Sequence, residues 1–184
     1  MSRSDQDNQT PGIAARKFLW IAGLTMAAAV AASPAISGET LVSGSLDGEA
    51  HTWERLQVDG DPPAFFSEIA SGTHLLNLHG FKDSSAMDPM GSVIVSVTAS
   101  GNHIIAAELG YYDDSRTGPD FRADGQVGEI EYEIHNIDID GDTAHISGVV
   151  SGELHYAEDR LRGEYDSSRT RTLEVEFDTT LPRQ

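Results

Sequence analysis

The sequence contains no cysteine, and this absence excludes several kinds of protein chemistry. Disulfide frameworks, thiolate zinc sites, thiol nucleophiles and iron–sulfur clusters all require that residue. A lipoprotein anchor, which is attached to a cysteine at the cleavage point, is excluded as well. The fold must therefore be held together by non-covalent packing.

Basic residues are also scarce. The chain has 12 Lys and Arg against 30 Asp and Glu, with a formal net charge of −18 at pH 7, and Lys82 is its only lysine after residue 37. Nucleic acids and anionic membranes are bound by clusters of Lys and Arg. We therefore expect neither as a partner, and an unidentified protein or small molecule remains as the expected ligand.

Residues 18–32 form one uncharged apolar stretch, which follows Arg16 and Lys17 and precedes the small residues SPAIS. This order is typical of a signal peptide. The stretch is shorter than the roughly 20 residues that a spanning helix needs. We predict a signal-peptide helix within residues 1–37, export to the periplasm or outside the cell, and no stable membrane insertion after cleavage. A retained anchor is the alternative.

Residues 38–184 lack helical periodicity, because no stretch keeps apolar residues at i, i+3, i+4 and i+7 for three turns. Short alternating segments are instead separated by Gly and Asp turns. This pattern predicts a single all-β domain, an antiparallel β-sandwich of about 7 to 9 strands. A closed β-barrel is the alternative.

The longest predicted hairpin covers residues 127–156. Apolar residues alternate with glutamates over residues 129–134, which is typical of a strand with one buried face. The alternation changes phase at His135 and Asn136, which predicts a β-bulge. The sequence Asp-Gly-Asp-Thr at residues 140–143 predicts the turn.

Three further segments complete the predicted order of strands. A hairpin over residues 92–112 is apolar on both faces, with Ile105 and Leu109 assigned to the same face, and is interpreted as a covered hairpin or a pocket wall. The polar residues 157–170 are predicted to cross between two sheets. Residues 172–179 alternate clearly and predict the last strand.

The layout resembles a class of small exported bacterial β-domain proteins of uncharacterised function. The segments that carry this resemblance are SGSLDGEAHTW near the start of the domain, and HISGVVSGEL and TLEVEFD near its end. The resemblance implies an exported β-domain and supplies no activity.

A candidate ligand or partner surface follows the second hairpin. Tyrosines beside polar loop residues make adaptable contact surfaces. Two aromatic residues at a strand end can equally serve in packing. The candidate residues are Tyr111, Tyr112, Asp113 and Asp114.

A candidate metal site lies at the turn of the longest hairpin, since closely spaced carboxylates are suitable ligands for Ca²⁺. Its residues are Asp138, Asp140, Asp142 and His145. The spacing departs from the EF-hand pattern, and an ordinary hairpin turn is the competing interpretation. If Gly141 and Asp142 form a two-residue loop, Asp138 faces His145 across the hairpin. The sequence predicts no cofactor, with Ca²⁺ at this turn as the possible exception.

Two acidic rows alternate with the apolar residues of predicted strands. Glu129, Glu131 and Glu133 form one row, and Glu174, Glu176 and Asp178 form the other. Like charges that face each other on adjacent strands are destabilising. The two strands are therefore predicted not to be neighbours, unless a cation or a basic partner lies between them.

No catalytic signature is present: the sequence has no G-x-S-x-G elbow, H-E-x-x-H pair, P-loop or dinucleotide fingerprint. This favours a non-catalytic module that binds a ligand or a protein. One alternative is a carbohydrate-active hydrolase or lyase that uses paired carboxylates. Another is a structural envelope component that assembles through its edge strands.

Overall fold

The computed structural model describes residues 39–56, 62–85 and 87–184. These residues belong to one compact unit that spans residues 36–184. The predicted signal peptide, residues 1–37, lies outside the described residues. None of the described segments is a helix of the length and apolarity needed to cross a bilayer.

The described residues form ten strands and no helix, and the strands join into one antiparallel sheet. The prediction of an all-β antiparallel fold is therefore confirmed. The strands are β1 (Thr40–Leu46), β2 (Glu49–Arg55), β3 (Phe65–Ala70), β4 (Thr73–Phe81), β5 (Val93–Ser100), β6 (His103–Tyr111), β7 (Phe121–Ala123), β8 (Glu129–Asp140), β9 (Thr143–Asp159) and β10 (Glu164–Pro182).

The order of hydrogen-bonded strands is circular, because it begins at β10 and leads back to β10. The order is β10-β1-β2-β4-β5-β6-β7-β9-β8, and β10 pairs with β9 in addition to β1. Eight strands therefore form a cycle of hydrogen-bonded neighbours. Strand β3 lies outside the cycle and pairs with β4, while β8 lies outside it and pairs with β9.

Alternate residues of β5 and of long parts of β9 and β10 are buried. Along β5, for example, Val93, Val95 and Val97 have no exposed surface, whereas the residues between them are partly exposed. This period-2 burial is what an antiparallel sheet with one covered face requires. The largest fully buried side chains include Trp53, Phe66, Leu76, Leu78, Leu109, Ile146, Leu154, Leu173 and Leu181.

The β8–β9 hairpin has the predicted irregularities. Ile134 pairs with Gly148 but Asn136 pairs with Ser147, so the register shifts where the bulge is predicted. Asp140 pairs with Thr143, which leaves a two-residue loop. Both features follow from the apolar alternation, because a phase change in one strand must be absorbed by an extra residue.

Two sequence predictions are wrong. Residues 157–170 do not cross between sheets, because β10 follows β9 in a tight hairpin and Glu164 pairs with Asp159. Leu109 does not share a face with Ile105. A register shift in the β5–β6 pairing leaves Ile105 without a paired residue on β5. Leu109 pairs with Val95 and is fully buried.

The three-residue strand β7 joins β6 to β9. Phe121 pairs with Tyr111 of β6 on one side and with Tyr156 of β9 on the other. Its ring is buried and meets the Tyr156 ring edge-on at 5.4 Å. Next to it, Arg122 Nη2 donates a hydrogen bond of 2.8 Å to Glu108 of β6. In the described part of the chain, β7 is the only strand that links β6 to the rest of the cycle on this side.

Replacing Phe121 with alanine is expected to lower the free energy of unfolding by about 3 to 5 kcal/mol, the usual cost of truncating a buried phenylalanine. Urea unfolding followed by circular dichroism measures this change. Ile69→Ala is the control, since Ile69 is an exposed side chain on β3. It should change the unfolding free energy by less than about 0.5 kcal/mol. Equal effects of the two substitutions would contradict the structural role assigned to β7.

Candidate functional site

The predicted ligand surface at residues 111–114 combines two buried aromatic residues with two loop aspartates. Tyr111 and Tyr112 are both buried, and burial raises the pKa of each hydroxyl. The two rings therefore serve in packing, which is the alternative to a contact surface for two aromatic residues at a strand end. Asp113 is partly exposed and Asp114 is exposed. A ligand-binding role for this segment stays a prediction.

A buried carboxylate holds the loop that begins at Asp113. Asp120 Oδ2 accepts hydrogen bonds from the backbone N–H groups of Asp113, Asp114 and Ser115, at 2.8, 3.0 and 2.9 Å. Arg160 also donates a hydrogen bond of 2.9 Å to the Ser115 hydroxyl. Three backbone donors on one carboxylate oxygen fix the local conformation of the loop.

Arg171 ties this loop to the first hairpin. Its guanidinium lies 2.6 Å from Asp47 Oδ2 and 3.3 Å from Asp113 Oδ2. It thereby joins the β1–β2 turn to the segment that follows β6. The salt-bridge partner of Asp113 is thus an arginine of the same chain.

The predicted metal residues lie around the tip of the β8–β9 hairpin. Asp138 pairs with His145, as the sequence predicts for a two-residue loop. The imidazole, however, contacts other residues: Nε2 lies 2.8 Å from Asp178 Oδ1, and Nδ1 lies 3.2 Å from Asn136 Nδ2. Among the described residues, no group of three or more His, Asp or Glu is placed to hold a metal ion. Calcium binding at this hairpin stays a prediction.

The two acidic rows share an outer sheet face but are not adjacent. Strand β9 lies between β8 and β10, so that Ser151 pairs with Glu131 on one side and with Glu174 on the other. The prediction that these strands are not neighbours is therefore confirmed. Strands are spaced about 4.8 Å apart, which places the two rows about 10 Å from each other.

The carboxylates of this face have few basic partners. Histidines pair with three of them, His135 with Glu133, His145 with Asp178 and His155 with Glu153. In the described ranges, no Lys or Arg forms a salt bridge with five carboxylates of this face: Glu129, Glu131, Glu133, Glu174 and Glu176. Their repulsion is therefore relieved mainly by solvent and salt.

An opening between β6 and β8, here called the seam, is the most distinctive surface feature. Strand β7 joins β6 only at residues 109–111, which leaves the edge of residues 103–108 without a partner strand among the described residues. Strand β8 pairs with β9 along one edge, and no described strand pairs with its other edge. Two unpaired backbone edges therefore border the seam.

Apolar side chains line the seam. The core-facing isoleucines of β8 pack against the core but remain partly exposed, and Tyr132, which pairs with the buried Val150, is 46% exposed. The partly buried isoleucines of β8 are Ile130, Ile134, Ile137 and Ile139. The inner face of β8 is thus only half covered.

Sequence reasoning missed a partly buried histidine next to Tyr112. The His79 ring stacks on Phe81 at 4.2 Å and on Tyr112 at 5.4 Å, and its Nε2 lies 3.0 Å from the Ser92 hydroxyl. Burial lowers the pKa of His79 to about 4. Ser92 has no exposed surface, so the pair serves packing and does not present a nucleophile. Alternation places His79 on the outer face of β4, where the rings of Phe81 and Tyr112 cover part of it.

Replacing Asp120 with asparagine is expected to destabilise the protein by about 2 kcal/mol, because hydrogen bonds to a charged acceptor contribute about 1.5 to 3 kcal/mol. The amides of Asp113, Asp114 and Ser115 should exchange hydrogen faster, as measured by NMR. Asp114→Asn is the control, since it removes a nearby charge but leaves the Asp120 acceptor. Unchanged exchange in Asp120→Asn would show that another group fixes the loop.

The partly buried His79 should make stability depend on pH. Because its pKa is about 4 in the folded protein and about 6.5 in an unfolded chain, the unfolded state binds more protons between these values. Its contribution is full above pH 6.5 and falls as the pH is lowered toward 4, by roughly 3 kcal/mol. His79→Phe should unfold with a weaker pH dependence over that range in urea titrations. Parallel curves for variant and wild type would contradict this assignment.

Comparison with known proteins returned no match: no family model, curated protein or solved structure is significantly similar to this chain.

Proposed function

We propose that this protein is an exported, non-catalytic binding module that recognises a partner protein at the seam between β6 and β8. The observation that carries the proposal is the unpaired edge of the 12-residue strand β8, beside a row of partly exposed apolar side chains. Unpaired edges are templates for pairing with another chain. Adding a strand to a sheet edge is a common mode of peptide recognition.

We further infer that the cycle of strands curls into a closed barrel, the alternative to a two-layer sandwich. The pairing of β10 with both β1 and β9 supports this inference, since closure requires each strand to have two neighbours. In this arrangement apolar side chains fill the interior, and the seam is the place where closure is incomplete. The interior of the barrel is then the hydrophobic core, and the partner protein binds at the seam in the barrel wall.

The distribution of carboxylates supports surface recognition. Glycoside chemistry uses two carboxylates that converge across a cleft. Here the exposed acids of β8 and β10 run as rows along an outer face, on either side of β9. Such rows can attract a basic partner over a distance and orient it on approach.

Site-specific photocrosslinking in cells that express the full chain tests the proposal. A benzoylphenylalanine placed at Tyr132 should form a covalent adduct with a partner protein, because that side chain is exposed at the seam. The same residue placed at Ala50, which is exposed on β2, is the matched control and should form none. Adducts at both positions, or none at Tyr132, would refute recognition at the seam.

A further inference from the structure

The seam has a chemistry that defines the kind of partner it fits. We propose that it binds an extended segment of another protein in which apolar residues alternate with Lys or Arg, and that this segment pairs with β8 as an added strand. This inference rests on the proposed function and adds the identity of the partner segment.

The backbone of β8 sets the shape of the ligand. Strands in globular proteins usually contain 5 to 6 residues, and natural edges are kept short or covered. Strand β8 runs from Glu129 to Asp140, and its bulge at His135 divides it into two regular parts. The first part, Glu129–Ile134, offers six regular residues next to the free edge of β6. A segment of about seven residues would match this length.

The inward side chains require an apolar ligand face. Tyr132 pairs with the buried Val150 and is 46% exposed at the seam, and the neighbouring isoleucines of β8 are partly exposed as well. Side chains of an added strand alternate between the two faces of the sheet. Apolar residues at every second position would therefore cover this row and extend the core outward. Burial of apolar surface is the main favourable term in such association.

The outward side chains require a basic ligand face. Glu129, Glu131 and Glu133 are exposed on the outer face, directly beside the free edge. The acidic row of β10 adds to their negative potential from two strands away. Oppositely charged residues directly across neighbouring strands stabilise the pair by roughly 0.2 to 1 kcal/mol. Lys or Arg at the remaining positions of the segment would supply these partners.

The same charges argue against a second copy of this chain as the occupant. If two β8 edges paired antiparallel, the glutamates of one copy would face those of the other on the same side of the sheet. Like charges placed opposite each other are destabilising, and charged edges are a known protection against self-association. A partner with the opposite charge pattern meets no such penalty.

The test uses protein purified from cells that express the full chain and a fluorescein-labelled seven-residue peptide of alternating lysine and valine. Fluorescence anisotropy should show saturable binding that weakens as salt is added. A glutamate–valine peptide of the same alternation, and a peptide with its lysines and valines in separate blocks, should bind at least about tenfold more weakly. Equal binding of all three peptides would overturn the proposal.

Two double variants test whether the peptide binds at the free edge of β8. Glu131→Lys with Glu133→Lys should weaken binding by at least about tenfold, because both charges lie beside the added strand. Glu174→Lys with Glu176→Lys makes the same change in net charge on β10. It should weaken binding by less than about threefold, since those residues lie about a Debye length away. Equal weakening by the two double variants would show attraction to the whole acidic face and would overturn edge pairing.

Hydrogen exchange on the wild-type protein gives a readout that does not depend on how the variants fold. The peptide should slow amide exchange in residues 129–134 and 103–108, the two free edges. Protection confined to other strands would overturn the proposal. A cellular adduct at Tyr132, combined with no binding of the alternating basic peptide, would overturn this inference and leave the proposed function standing.

Discussion

The closure of the strand cycle through β7 is the constraint on which the rest of this structure depends. Three residues, Phe121 to Ala123, pair with β6 on one side, and the first two pair with β9 on the other. Because backbone groups must be paired once they are buried, this short link holds the β4–β5–β6 strands against the β9–β10 hairpin. The cycle holds together there because the Phe121 ring and the Asp120 carboxylate are both buried beside the link.

The shortness of β7 also creates the seam. Strands β7 and β8 pair one after the other with β9, but only β7 also pairs with β6, at residues 109–111. The chain then continues as β8 along β9, which leaves β8 with an inner face that is only partly covered. The carboxylates on its outer face keep such an edge soluble and discourage self-association. The proposed partner strand would pair with this free edge of β8.

The loops around β7 are more rigid than their polar sequence suggests. Asp120 holds three consecutive backbone amides, and Arg171 joins Asp113 to Asp47. Tyr112, which directly precedes Asp113, stacks on His79, and burial lowers the pKa of that histidine to about 4. These contacts stabilise the end of the cycle where β7 makes its link.

The sequence alone determined the all-β class, the bulge near His135, the register of Asp138 with His145 and the separation of the two acidic rows. The first three depend on alternation and turn chemistry, which act over a few residues, and the last depends on the repulsion between like charges on adjacent strands. Only the tertiary structure decided that β10 pairs with both β1 and β9, that Tyr111 and Tyr112 are buried, that Leu109 faces the core and that β8 has a free edge. Those outcomes depend on which distant segments become neighbours, and local periodicity carries no information about a partner strand far along the chain.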